Sequence, residues 1–80
     1  MKIIVYSTNV CPACHAVKEW LRQENISFIN KDVSSDIVAR NYLISHYGAV
    51  VPVIEINGVG VKGFNKEKIM YLIGYMKDRE

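Results

Sequence analysis

The sequence predicts an α/β fold in the order βαβαββα, with a four-stranded mixed sheet flanked by three helices. Three observations predict it: a nearly continuous apolar run at the N-terminus, amphipathic segments with helical spacing, and an Asn57-Gly58 turn between two β-prone runs. Half of the 80 residues are hydrophobic, which suits a single domain, residues 1–80, with one sheet and helices packed on it.

The first half of the chain predicts a strand, a helix and a second strand. Lys2–Ser7 is apolar at nearly every position, which is typical of a strand buried on both faces. A helix from about Cys11 to Gln23 follows, and Pro12 suits its first position because a proline lacks the N–H that would have no intrahelical partner there. One face of this helix, apolar until its last member, carries Ala13, Val17, Trp20, Leu21 and Glu24. Ser27–Asp32 is a second, shorter strand, parallel to the first because a helix separates them.

A second helix is predicted between two clear end signals. Ser34-Ser35-Asp36 is a typical N-cap sequence, and Gly48 is a typical residue just beyond a helix end, so the helix should finish at Tyr47. The residues expected to supply its buried side are Ile37, Val38, Ala39, Tyr42 and Ile44.

The last part of the chain predicts a hairpin and a closing helix. Val50–Ile56 forms the third strand, interrupted early by Pro52, and the Asn57-Gly58 turn returns the chain antiparallel as Val59–Lys62. Asn65 caps a final helix after the break at Gly63. Its core-facing stripe, at i, i+3, i+4 and i+7, comprises Ile69, Leu72, Ile73 and Met76.

Charge and hydropathy exclude several function classes. The net charge of +2, with lysines spread along the chain, argues against nucleic-acid binding. No stretch approaches the ~18 apolar residues that span a bilayer. The apolar run at the N-terminus is only four residues long, too short for a signal peptide. We therefore expect a cytoplasmic protein with no membrane contact, in a compartment that keeps thiols reduced.

The two cysteines of the chain form one motif, Cys11-Pro12-Ala13-Cys14, where the first strand gives way to the first helix. Thiols at i and i+3 on a first helical turn can close a disulfide with little backbone movement. The positive end of the helix dipole and the free N–H groups stabilise a thiolate at Cys11, which makes Cys11 the expected nucleophile at neutral pH. A Cys-x-x-Cys beside a βαβ pattern is typical of a thioredoxin-like redox centre.

The element order and this motif together resemble the glutaredoxin branch of the thioredoxin-like fold. The resemblance covers the whole chain and rests on three patches: Val5-Tyr6-Ser7 through Cys14, Val51-Pro52-Val53-Ile54, and Lys62-Gly63-Phe64-Asn65. It implies that Pro52 is cis and lies beside the cysteines, and that the Val51 backbone pairs with the substrate like an added strand. Pro12, Ala13, Val51 and Pro52 would then shape the active site.

The stretch Cys14-His15-Ala16 with Lys18, and the Gly63-Phe64 pair, are more similar to the small glutaredoxin-like, NrdH-type redoxins. Glutathione-using glutaredoxins usually carry a lysine where this chain has Thr8, a threonine at Val50, a second glycine at Lys62, and acidic residues at Asn65 and Lys66. The resemblance therefore implies a flavin-dependent disulfide reductase, rather than glutathione, as the favoured electron donor. The substrate-binding candidates are Thr8, Val50, Lys62, Gly63, Phe64 and Asn65.

The function that the resemblance implies is dithiol–disulfide oxidoreductase and electron carrier. Cys11 attacks a protein disulfide, and Cys14 resolves the mixed disulfide and leaves a redox-active Cys11–Cys14 bridge. Ribonucleotide reductase and a thiol peroxidase are plausible acceptors by the same resemblance. We expect a monomer with no bound cofactor and no metal.

Four alternatives stay open at the level of sequence. A zinc site would need His15 and His46 beside the cysteines, and c-type haem attachment through Cys11-x-x-Cys14-His15 would need Met70 or Met76 as a further ligand. An iron–sulfur cluster could be held between two subunits by Cys11 and external thiols. A purely structural domain would leave unexplained why both cysteines lie at a helix start.

Overall fold

Residues 1–78 are described by a computed structural model, and they form the predicted order βαβαββα. The strands are β1 (Ile3–Ser7), β2 (Ile29–Asp32), β3 (Val53–Ile56) and β4 (Val59–Lys62). The helices are α1 (Pro12–Gln23), α2 (Ile37–Tyr47) and α3 (Lys66–Asp78). Within these residues, none of the helices is long and apolar enough to cross a membrane.

The four strands form one mixed sheet in the spatial order β2-β1-β3-β4. β1 pairs in parallel with β2, as the intervening helix requires, and antiparallel with β3. The β3–β4 hairpin turns at Asn57 and Gly58, whose φ angles of 48° and 88° place both residues in the left-handed region that this tight turn needs. The predicted mixed sheet is confirmed, and β4 has the predicted bounds.

Alternating side chains of the central strands divide the core into two clusters, one on each face of the sheet. Ile3 and Val5 of β1 contribute to the cluster that α1 and α3 cover, while Ile4 and Tyr6 contribute to the cluster that α2 covers. All five residues of β1 are buried, as predicted for a strand enclosed on both faces.

The buried row of α1 differs from the predicted row at both of its ends. Val17 and Leu21 are buried and Trp20 packs against the same cluster, as expected, but Ala13 and Glu24 are exposed. The buried row comprises Cys14, Val17, Lys18 and Leu21. The face of this helix that packs on the sheet therefore includes Cys14. It also includes Lys18, which the apolar pattern did not predict to be buried.

The prediction for the buried side of α2 was wrong at three positions. Ile37, Val38 and Ile44 are 67%, 76% and 47% exposed, whereas Ala39 and Leu43, one turn apart, pack on the sheet. The helix has no single apolar stripe, so its orientation depends on tertiary contacts rather than on its own pattern. Its ends were predicted correctly: Asp36 accepts the Ala39 N–H at 3.1 Å and Gly48 has a φ of 92°.

Three strands begin later than predicted. β1 begins at Ile3, β2 at Ile29 rather than Ser27, and β3 at Val53 rather than Val50. The shift in β3 has a local cause, because Pro52 has no N–H to give to a ladder and the Val50 N–H bonds to the Gly48 carbonyl at 2.9 Å. The segment before Val53 is therefore a loop.

Candidate active site

Cys11 is the N-cap residue of α1, and its thiol is held at the positive end of that helix. The Cys14 N–H donates to the Cys11 Sγ at 3.2 Å, and the His15 N–H donates to the Cys11 carbonyl at 3.2 Å. Pro12 occupies the first turn, which contains no acidic residue. A negative charge on the Cys11 sulfur would thus meet a backbone donor and a favourable dipole, with no carboxylate in that turn opposing it.

Cys14 lies in the opposite environment although it is only one turn away. Its side chain is fully buried while Cys11 is partly exposed, and the two thiols are not bridged. Burial, and then a hydrogen bond with the Cys11 side chain, raise the pKa of Cys14 to about 11. A backbone hydrogen bond from Thr8 and the charge of Lys18 act in the opposite direction. The pair therefore consists of one accessible thiol and one enclosed thiol that stays protonated.

The loop before β3 shares a groove with Thr8, whose backbone forms a hydrogen bond with Cys14. The Val51–Pro52 peptide bond is cis, Pro52 is buried, and the Pro52 carbonyl accepts the Gly63 N–H at 2.8 Å. Among residues 1–78, neither the N–H nor the carbonyl of Val51 has a backbone hydrogen-bond partner. The Val51 backbone can therefore accept an extended segment of another molecule as an added strand.

A groove of about 280 Å³ continues from Val51 toward α2. Thr8 lines it near the cysteines, and Arg40 and Ile44 line it from the helix. Its other walls are Val33, Ser34, Leu43 and Ala49. This mostly apolar surface explains why Ile44 is exposed: its side chain belongs to the groove rather than to the core.

Comparisons with known proteins agree with this geometry. The family model described as Glutaredoxin matches residues 3–61, which include both cysteines and Pro52. The chain belongs to the glutaredoxin family. A glutaredoxin-like 8.6 kDa protein in the rubredoxin operon of Clostridium pasteurianum is 42% identical over 72 residues, which cover 89% of this chain and 96% of that protein.

Solved structures place this glutaredoxin-family protein in the thioredoxin-like fold. The thioredoxin-like protein BC3987 is 40% identical, with a TM-score of 0.81 over 89% of this chain and 99% of that one. The glutaredoxin-like NrdH-redoxin from Escherichia coli is 26% identical, with a TM-score of 0.82 over 90% of this chain and 95% of that one. The family and the paired cysteines indicate thiol–disulfide redox chemistry in general terms.

The remaining predicted binding candidates make different contacts. Gly63, at φ 81°, reaches the site through its bond to Pro52. Phe64 packs instead against Trp20, with ring centroids 5.7 Å apart, and the Lys66 Nζ lies 5.4 Å from its ring centre. The Asn65 Oδ1 accepts the Lys68 N–H at 3.1 Å and so caps α3, as predicted. Lys62 and Val50 are exposed.

His15, which two of the alternative hypotheses require as a ligand, has its ring engaged by a backbone carbonyl. Its ring Nε2–H donates to the Asn9 carbonyl at 2.8 Å. In the part of the chain that the structure describes, no three His, Cys, Asp or Glu side chains are grouped so that they could hold a metal ion.

Sequence reasoning missed three residues of this site. Arg40 lines the groove, Val10 stands 89% exposed just before Cys11, and Lys18 is only 9% exposed on the buried row of α1. The only available signal was for Lys18, because a residue at i+4 from Cys14 shares its helix face. Nothing in the local pattern distinguishes Arg40 from any other exposed helix residue.

Proposed function

We propose that this protein is a dithiol–disulfide oxidoreductase that reduces protein disulfides, with Cys11 as the nucleophile and Cys14 as the resolving thiol. The observation that carries the proposal is the asymmetry of the pair. Cys11 is accessible, and its sulfur accepts the Cys14 N–H at the start of a helix. Cys14 is fully buried, with its pKa raised to about 11.

The reaction takes place in two exchange steps. The Cys11 thiolate attacks one sulfur of the target disulfide, and the second target sulfur leaves as a thiolate and takes up a proton. Cys14 then attacks the Cys11 sulfur, the remaining target sulfur leaves as a thiol, and a Cys11–Cys14 disulfide forms. Two electrons have passed to the target, and an external donor must restore the dithiol.

The surroundings of Val51 support a polypeptide as the target. Its unpaired N–H and carbonyl can bind an extended segment by main-chain hydrogen bonds, independently of that segment's sequence. The adjoining groove can then take one side chain of the segment. Ribonucleotide reductase and a thiol peroxidase, both plausible acceptors by family resemblance, are proteins that would present a disulfide in this way.

We further propose a flavin-dependent disulfide reductase as the preferred electron donor in the cytoplasm. Thr8, Val50 and Lys62 replace side chains with which glutathione-using glutaredoxins bind their reductant. The Escherichia coli NrdH-redoxin, which shares this fold, has a thioredoxin-like activity profile.

Trapping of mixed disulfides tests the assignment of the two cysteines. Cys14→Ser, offered native insulin with its disulfides intact, should accumulate a covalent adduct on Cys11 that dithiothreitol releases, because the resolving step is removed. Cys11→Ser is the matched control and should form none, while the unsubstituted protein should turn over with dithiothreitol as the electron source. Adducts formed equally well by Cys11→Ser would show that the roles are reversed.

A further inference from the structure

The resolving step requires a thiolate at Cys14, and the proposed function does not explain what stabilises it. In the mixed disulfide Cys11 is already bonded to the target, so Cys14 must supply the attacking thiolate. Burial, the first cause of the raised Cys14 pKa, remains in that state, so at pH 7 only a small fraction of molecules would carry that thiolate. A group that stabilises negative charge on the Cys14 sulfur would therefore govern the rate of target release.

Lys18 is placed to stabilise negative charge on the Cys14 sulfur. It lies four residues after Cys14 on the buried row of α1, where side chains at i and i+4 are neighbours, about 5–6 Å apart at Cβ. It is the one charged member of that row and is only 9% exposed, so its aliphatic stem is enclosed by protein. An ammonium group in such a setting acts on a nearby thiolate with less solvent screening than a surface lysine.

The groups that face Cys14 come from three parts of the chain. Cys11 lies at the helix start, Thr8 offers its backbone from the loop after β1, and Lys18 is the cation among them. Asp32, at the end of β2, lies within electrostatic reach of Lys18: hydrogen bonds from Ser34 lower its pKa first, and Lys18 contributes to the same lowering. The Lys18 charge thus acts on both a carboxylate and the buried thiol.

We propose that Lys18 is a positioning residue for the resolving step, its ammonium stabilising the Cys14 thiolate as Cys14 attacks the Cys11 sulfur. The proposal rests on the proposed thiol–disulfide exchange. The Cys14 proton is lost as the thiolate forms, the Cys11–target bond breaks, and the departing target sulfur takes up a proton. Lys18 makes no bond to the substrate.

The size of the effect follows from two opposing trends. Each unit by which Lys18 lowers the Cys14 pKa raises the thiolate fraction about tenfold at neutral pH. The intrinsic reactivity of the thiolate falls at the same time, with a Brønsted coefficient of about 0.4–0.5. The net gain is about threefold for each unit, so loss of the charge should slow resolution by about two- to threefold.

Stopped-flow reaction with 5,5′-dithiobis(2-nitrobenzoate) separates the two steps, because each releases one coloured thiolate. Attack by Cys11 releases the first, and attack by Cys14 on the resulting mixed disulfide releases the second. Lys18→Met retains the apolar stem but lacks the charge. It should leave the first phase unchanged, slow the second about two- to threefold, and move the pH midpoint of the second phase upward. Lys18→Arg should restore the second phase.

Two controls are needed. One distinguishes the charge of Lys18 from its packing, and the other distinguishes failure of this proposal from failure of the proposed dithiol chemistry. Lys31→Met removes a half-buried lysine from β2 and should leave both phases unchanged. An unchanged second phase in Lys18→Met, an equal loss in both phases, or an Arg variant as slow as the Met variant would overturn the role of Lys18. Absence of both phases in the unsubstituted protein would instead refute the proposed dithiol chemistry.

Discussion

The backbone N–H of Cys14 donates to the Cys11 Sγ at 3.2 Å, so a hydrogen bond already links the two cysteines in the dithiol state. The contact makes Cys11 the N-cap of α1, a position usually taken by an oxygen-bearing side chain. A sulfur that caps a helix is held at the positive end of the dipole, within reach of its neighbour. One local arrangement therefore places the first thiol at the positive end of the helix and the second thiol one turn away.

We expect alkylation to distinguish the two thiols at neutral pH. Cys14 is fully buried, and its raised pKa, about 11 against an ordinary 9.0, lowers its thiolate fraction about 100-fold. The higher intrinsic reactivity of a more basic thiolate offsets part of this difference, so iodoacetamide at pH 7.5 should label Cys11 at least tenfold faster than Cys14, as measured by peptide mass spectrometry. In urea the two rates should converge. Faster labelling of Cys14 in the native protein would contradict the assignment.

The tyrosines around Glu55 predict a loss of stability at alkaline pH. Burial, then the Glu55 charge, raise the pKa of Tyr6 to about 12. Tyr42 and Tyr47 donate to the Glu55 Oε2 at 2.5 and 2.7 Å, and the pKa of each is also raised. Unfolded tyrosines lose their protons near pH 10. The unfolded state therefore binds fewer protons above that pH, and the free energy of unfolding should fall as pH rises from 10 to 12.

Urea unfolding at pH 9 and pH 11 measures this loss. For Tyr6 alone it should amount to about 1 kcal/mol at pH 11. Tyr6→Phe should reduce the fall between the two pH values by that amount, whereas Tyr71→Phe, on the exposed side of α3, should leave it unchanged. An equal fall in all three proteins would show that the buried hydroxyls do not carry the effect.

Gly60 should be intolerant of any side chain. A Cβ at this position of β4 would overlap the ring of Tyr47, whose hydroxyl is already held by Glu55. Gly60→Ala should therefore destabilise the protein by about 1–3 kcal/mol, the usual cost of overpacking. The matched control is Gly74→Ala in α3, where a Cβ meets open space and should add about 0.5–1 kcal/mol of stability. Thermal unfolding of the two variants should show shifts of opposite sign.

The proposed preference for a flavin-dependent reductase over glutathione predicts different turnover rates with the two reductants. An NADPH-dependent flavin disulfide reductase should support faster turnover than glutathione at physiological concentration. The double variant Asn65→Asp with Lys66→Asp would restore the acidic pair of glutathione-using glutaredoxins. An aspartate caps a helix as well as an asparagine does, so α3 should be preserved. Glutathione turnover should rise in this variant but not in Lys68→Asp, and faster glutathione turnover by the unsubstituted protein would contradict the preference.

Local signals in the sequence were enough to determine the order of elements and most of their ends. The Asp36 cap, the Gly48 stop and the Asn57-Gly58 turn all act within a few residues, and each is found where it was predicted. The stripe of α3 is likewise confirmed: Ile69 is fully buried, and Leu72, Ile73 and Met76 pack against the same cluster. These features depend on residues close together in the sequence and not on the side chains packed against them from other elements.

Tertiary structure alone decided which faces are covered and what the site contains. Ile37 and Val38 are apolar yet exposed, because Ala39 and Leu43 meet the sheet and Tyr42 and Tyr47 tie α2 to Glu55. Lys18 is charged yet buried, because α1 rests on the sheet along the row that begins at Cys14. The physical reason is that burial depends on neighbours distant in sequence, which the spacing of residues within one helix does not record.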